Sequence, residues 1–371
     1  MNKLGKYRLT LLVIGIAIVV GASLPAFMTA SCLTRQQTPA ELRALESLRA
    51  MTRGGVLPSE DVVARIESDY PRSKTAALAR IVRARIRLNA KDFTGAATLL
   101  DASVIRDYSL LGDYALLMRG SALEQAGKFP EARAAYEVLL RDYPDSSRTR
   151  ETNLRLANIL MRTGSSTAVA NQLKDLGAKN DPAALLLLAR AAEQTSDSTR
   201  ALSAYRRLYF YAPAATESAE AASAITRLGS SVAPANSDEA IARADKFYQA
   251  KRFSDASQAY ADAFARFPET STPNSQLRRV IAASGLRKMA DALSALNAIP
   301  ASAGETRAEA LYYVAQGYAR AKQWSRRVPL SKNCVRVLPA VHSHRVLWSA
   351  WDRSPRMRAT MPTLLIFSAL Q

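Results

Sequence analysis

The sequence predicts an all-α fold, a right-handed superhelical solenoid of repeated helical hairpins. Three observations predict it. Alanine and leucine dominate and β-branched runs are scarce beyond the N-terminus, so summed propensity favours helix. The frame Ala-x₃-Tyr-x₇-Pro occurs three times, as Ala132/Tyr136/Pro144, Ala201/Tyr205/Pro213 and Ala256/Tyr260/Pro268. The chain of 371 residues is long for one core, whereas stacked repeats add length without enlarging any single core.

The clearest hairpin runs from Tyr114 to Ser147. Leu116, Gly120 and Leu123 stand at i, i+4 and i+7, one face of a helix. Gly127 and Lys128 break that pattern. A second apolar stripe starts at Phe129 and continues through Ala132, Tyr136 and Leu139. Pro144 ends it, because proline has no N–H and disfavours helix in the residue before it. Gly120 and Ala132 are small where two antiparallel helices must approach, and Tyr136 fills the space above them. Gly120, Gly127, Ala132, Tyr136 and Pro144 resemble the signature of the tetratricopeptide repeat, from which Arg119 departs where that family prefers Leu.

One such hairpin cannot bury its own apolar face, so neighbours are required. Further hairpins are expected at 75–103, 150–178, 182–212 with a long helical tail to Leu228, 238–267 and 275–299, followed by a helix over 305–322. Tyr70-Pro71-Arg72-Ser73 returns as Tyr143-Pro144-Asp145-Ser146 and Phe267-Pro268-Glu269-Thr270, so an aromatic closes one hairpin, a proline stops its helix and a hydroxyl can cap the next helix. Residues 229–237 have the composition of a linker, which divides the solenoid into 33–228 and 238–324. Leu208 to Tyr211 is the densest aromatic cluster. Core packing is the first expectation for it, and Tyr209 or Tyr211 is the candidate aromatic of a ligand groove.

Residues 1–32 read as an export segment: Lys3, Lys6 and Arg8 precede the apolar run Leu9–Phe27. Thr29-Ala30-Ser31-Cys32 resembles a lipobox, with Cys32 the candidate for lipidation. Retention of the run as a membrane anchor and full release of the protein are the other outcomes. All three place the repeats in the periplasm or cell envelope, and the first two associate the N-terminus with membrane. Helical periodicity stops after Trp324. Residues 325–371 hold both histidines, Cys334, two of the three tryptophans, and eight Lys or Arg against Asp352 alone. This basic tail is either the product of a reading-frame change or an unrelated extension, and it is expected not to pack on the solenoid. His342, His344 and Cys334 match no common metal spacing.

Net charge is +19, from 51 Lys and Arg against 32 Asp and Glu. Outside the two ends the excess is mild and suits solvated helix faces, with no aromatic-interleaved basic stripe to suggest nucleic acid. No histidine precedes His342, and no phosphate loop or metal-ligand cluster occurs. No catalytic, cofactor or metal residue is therefore assigned. The phrases YRRLYFYAPAATESAEAASAITRLG (205–229) and RAEALYYVAQGYARAKQW (307–324) resemble the helical domain of the soluble lytic murein transglycosylases. That resemblance implies an exported, ring-like helical domain that precedes a peptidoglycan-cleaving one. The catalytic Glu-Ser with its Gly-Leu-Met-Gln sequel is missing, since Glu46-Ser47, Glu67-Ser68 and Glu217-Ser218 lack it.

The expected function is a non-catalytic scaffold of the bacterial envelope that binds a protein, peptide or peptidoglycan partner on its concave face. The alternatives are a truncated lytic transglycosylase that keeps only its helical domain, and an outer-membrane assembly or division lipoprotein.

Overall fold

The computed structural model describes residues 37–321, all of whose regular elements are helical. The export segment with Cys32, Trp324 and the tail with Cys334, His342 and His344 lie outside the described residues. The chain divides into two compact units at Thr149/Arg150, and the 229–237 stretch falls inside the second.

The first unit contains α1 (Pro39–Thr52), α2 (Glu60–Asp69), α3 (Lys74–Asn89), α4 (Phe93–Leu100), α5 (Ser103–Tyr108), α6 (Gly112–Gln125) and α7 (Phe129–Asp142). Thr38, Ser73 and Asp92 cap their helices, accepting hydrogen bonds from the backbone N–H of Glu41, Ala76 and Gly95. Leu48, Val63 and Ala79 join α1, α2 and α3 in one buried cluster. Arg80, Arg83 and Arg87 of α3 pair with Glu60 and Glu67 of α2. In the α6–α7 hairpin Ala132 and Tyr136 are fully buried. A Cβ at Gly120 would lie 2.2 Å from the Tyr136 ring, so only glycine admits that ring.

The second unit begins with α8 (Thr149–Arg162), which is followed by a 3-10 turn and the short helices α9 (Val169–Gln172) and α10 (Lys174–Ala178). The expected second helix of a 150–178 hairpin is thus broken into pieces. Then come α11 (Pro182–Gln194), α12 (Ser198–Tyr211), α13 (Ser218–Arg227), α14 (Ser237–Gln249), α15 (Phe253–Arg266), α16 (Pro273–Gly285), α17 (Met289–Asn297) and α18 (Gly304–Arg320). The tail expected to continue to Leu228 is a separate helix, α13, because Pro213 cannot donate the N–H that would extend α12. Ala201, Tyr205, Ala256 and Tyr260 are buried between the helices of their hairpins.

The hairpin turns share one backbone geometry that composition hides. Lys91, Gly127, Ser196, Lys251 and Arg287 each adopt positive φ, between 58° and 74°. In each case the next residue donates its N–H to the carbonyl five positions back: Asp92 to Arg87, Lys128 to Leu123, Asp197 to Ala192, Arg252 to Phe247 and Lys288 to Ala283. This is the left-handed C-terminal closure that satisfies the last carbonyls of a helix. Only one of the five is glycine.

Candidate functional site

Polar contacts join successive hairpins of the second unit at a step close to one repeat. The Tyr260 hydroxyl donates to Asp245 of α14, and Asp245 in turn pairs with Arg278 of α16, thirty-three positions on. The Tyr205 hydroxyl donates to Glu193 at 3.0 Å, and Glu193 pairs with Arg227 of α13 at 2.7 Å. Burial, then the Glu193 carboxylate, pushes the Tyr205 phenol up to about 12. Arg206 and Glu239 pair thirty-three positions apart. Each arginine thereby ties one hairpin to the next.

Of the two candidate groove aromatics, Tyr209 is engaged in this stacking. The Arg243 guanidinium of α14 lies 3.7 Å from the ring centroid of Tyr209 and 4.9 Å from that of Phe247, and its Nη1 donates to the Tyr209 carbonyl at 2.5 Å. Burial, with Arg252 adding to it, holds Arg243 below its ordinary value. Tyr209 packs against the α11–α13 core and makes an edge contact with Phe210. Tyr211 is half-buried at the end of α12. The frame residues Ala201, Tyr205, Ala256 and Tyr260 lie inside the hairpins, and Pro213 is buried while Pro144 and Pro268 are exposed at helix ends.

A different group of polar and aromatic side chains converges on the first helices of the last hairpins. On α18, Leu311, Val314, Ala315 and Tyr318 face the core. Glu309, Tyr313 and Gln316, at i, i+4 and i+7, form a stripe beside it. Tyr313 makes a T-shaped contact with Tyr312. α16 packs on α18 and presents Arg278, held by Asp245; α14 presents Tyr248. These groups sense one another. Burial raises the Tyr248 phenol, Tyr313 and Glu309 add to that, and Arg278 opposes it. Burial, then Glu309 and Tyr312, raises Tyr313. Burial, then Glu305, holds Glu309 above its ordinary value. Among the described residues Glu309 has no ion-pair or hydrogen-bond partner. The arrangement offers two half-buried phenols, a half-buried guanidinium and an exposed carboxylate on neighbouring helices, which suits recognition by hydrogen bonding and ring stacking.

Sequence reasoning missed Tyr248, Arg278, Glu309 and Tyr313. One signal could have found part of the group: on α18, Glu309, Tyr313 and Gln316 fall off the apolar stripe yet repeat at helical spacing.

The repeat geometry has a counterpart among known proteins. Residues 76–147 match the family model described as tetratricopeptide repeat. The matched stretch covers the first unit's tetratricopeptide-like hairpins α3–α4 and α6–α7. No curated protein matches. Similar solved structures include the C-terminal part of a TPR repeat-containing protein from Cytophaga hutchinsonii, at 15% identity over 71% of this chain and 97% of that one, TM-score 0.31. The TPR2AB-domain:pHSP90 complex of yeast Sti1 is similar at 13% identity over 80% and 98% of the two chains, TM-score 0.27. The APC/C hetero-tetramer Cut9-Hcn1 is similar at 14% identity over 79% and 48%, TM-score 0.30.

Proposed function

We propose that this chain is a helical-repeat scaffold that binds an extended segment of a protein partner along the first helices of its last hairpins. The observation that carries the reading is the stripe formed on three successive first helices by half-buried Tyr248, Arg278 and Tyr313 beside exposed Glu309, whose carboxylate has no partner among the described residues. Helical repeats expose such surfaces along successive first helices, where many shallow contacts add up. The tetratricopeptide match over residues 76–147 supports a protein-binding role. The basic start and apolar run of residues 1–32 support export to the bacterial envelope, with the N-terminus held in or at a membrane.

Site-specific photocrosslinking tests it. A benzophenone amino acid at Tyr248 or Tyr313 of the full chain, expressed in cells, is expected to give the same discrete adduct, absent when the probe replaces exposed Tyr108. Adducts that are equal at all three positions, or absent from Tyr248 and Tyr313, would count against the reading.

Peptidoglycan is the second ligand class, favoured by the resemblance of residues 205–229 and 307–324 to the transglycosylase helical domain. Cosedimentation with isolated cell-wall sacculi, combined with assay for released muropeptides, tests this. Binding without release indicates a wall-binding scaffold, and release indicates a retained enzyme.

A further inference from the structure

Three of the exposed large apolar side chains, Leu42, Val56 and Val62, fall in the first two helices and the loop between them. Leu42, Glu46 and Arg49 stand at i, i+4 and i+7 along one exposed side of α1, and Arg53 follows at its C-terminus. Gly54 and Gly55 then turn the chain at φ of 98° and 82°, with no atom within 4 Å of where a Cβ would stand. Val56 follows, 75% exposed at the tip.

On α1 and at its C-terminus three exposed arginines, Arg43, Arg49 and Arg53, stand against one exposed acid, Glu46. Arg43 donates only to the Pro39 carbonyl, and Arg49, Arg53 and Arg65 form no ion pair among the described residues. Arg80, Arg83 and Arg87 of α3, by contrast, are all paired. Glu46, Asp61 and Asp69 are the exposed acids of α1 and α2, so arginine predominates on the α1 side and at the loop.

Chain length says what this corner meets. Only residues 33–38 separate Cys32 from Pro39, which limits the separation to about 25 Å even fully extended. If the apolar run ending at Phe27 stays in the bilayer, the limit is about 40 Å. Either tether keeps α1 beside lipid.

We propose that the exposed side of α1 and the Arg53–Val56 loop form a membrane-contact surface that rests on anionic phospholipid. The arginines meet lipid phosphates, and Val56 with Leu42 enters the boundary between headgroups and acyl chains. The surface rests on the tethered N-terminus proposed above, and it adds a defined orientation of the first unit on that membrane.

Hydrogen exchange on the full chain tests it, with vesicles of phosphatidylglycerol and of phosphatidylcholine. Vesicle binding by itself reads the tether. Exchange at residues 53–58 reads the surface and is expected to slow about tenfold on phosphatidylglycerol relative to phosphatidylcholine. Loops 109–111 and 230–235 are expected to stay unchanged. Arg49→Glu with Arg53→Glu, both exposed, should remove the protection while vesicle binding persists, and so should high salt, which screens the attraction. Bound chain without protection at 53–58, equal protection on both lipids, or no vesicle binding would each overturn the proposal.

Discussion

The buried hydroxyl of Tyr260 donates to the carboxylate of Asp245, fifteen positions earlier on the other helix of its hairpin. Asp245 also holds Arg278 of the next hairpin, so one carboxylate serves packing within a repeat and stacking between repeats. Tyr260→Phe should cost about 1.5–3 kcal/mol, the worth of a hydrogen bond to a charged acceptor. Asp245→Ala should cost about 0.5–1 kcal/mol more, since it removes the partly exposed pair with Arg278 as well as the acceptor of the Tyr260 hydroxyl. Urea denaturation of the variants checks the order, and equal losses would show that Arg278 draws nothing from the pair.

Gly120 and Tyr136 should behave as a coupled pair. Gly120→Ala drives a methyl to within 2.2 Å of the Tyr136 ring and should destabilise by about 1–3 kcal/mol. Adding Tyr136→Leu should recover part of the loss, which a double-mutant cycle of denaturation midpoints would reveal as non-additivity.

The left-handed turns at Lys91 and Lys251 leave room for stabilisation. A non-glycine residue at positive φ costs about 1–2 kcal/mol. Lys91→Gly and Lys251→Gly should therefore raise thermal midpoints. The same change at exposed Lys246, inside α14, should lower them, for a loss of about 1 kcal/mol of stability.

Acid should weaken the first unit through Glu60 and Asp113. Burial alone would raise Glu60, but Arg87 and Arg83 outweigh it and hold the carboxyl below 4.5. Burial likewise opposes the Ser146 hydroxyl, the Tyr114 N–H and Arg148, which together hold Asp113 below 3.8. A lowered folded value means the unfolded chain binds protons first. The stabilisation is therefore complete above the unfolded value and is lost as pH falls through the folded one. Melting followed from pH 6 to pH 3 should show a decline that is shallower in Glu60→Gln.

At the alkaline end the sign reverses. Tyr205 rises from 10.0 to about 12 through burial and Glu193, so its contribution is full below pH 10 and disappears as pH climbs toward 12. Absorbance at 295 nm should show Tyr205 among the phenols that titrate late in the folded protein, and Tyr205→Phe should lower the amplitude of the late transition by one phenol.

Helix positions, caps and the small-residue contacts were legible in the sequence because they depend on residues within a few positions of one another. Ser73 caps α3 as its phrase suggests, whereas Thr272 rather than Thr270 caps α16, and Gly120 admits a ring only sixteen positions away. The left-handed turns were legible only at Gly127, since Lys91, Ser196, Lys251 and Arg287 are pushed there by the packing of the two helices they join. The hairpin bound at 212 agrees with the end of α12 at Tyr211, whereas the long helical tail to Leu228 is the shorter separate helix α13, set off by the chain's turn at Pro213.

The candidate binding stripe was largely illegible. Tyr248, Arg278 and Glu309 sit on three helices, and their proximity arises from the stacking of hairpins rather than from any local pattern. The amino-acid sequence by itself determined that this protein is helical, repeated and capped where it is, because backbone hydrogen bonding and side-chain periodicity act over one or two turns. The tertiary structure alone decided that Asp245 meets Arg278, that Arg243 covers Tyr209 and that Glu309 stands beside Tyr313 without a counter-ion among the described residues. Those outcomes depend on how far each hairpin turns relative to the last, and that is set by the shapes of buried side chains on both.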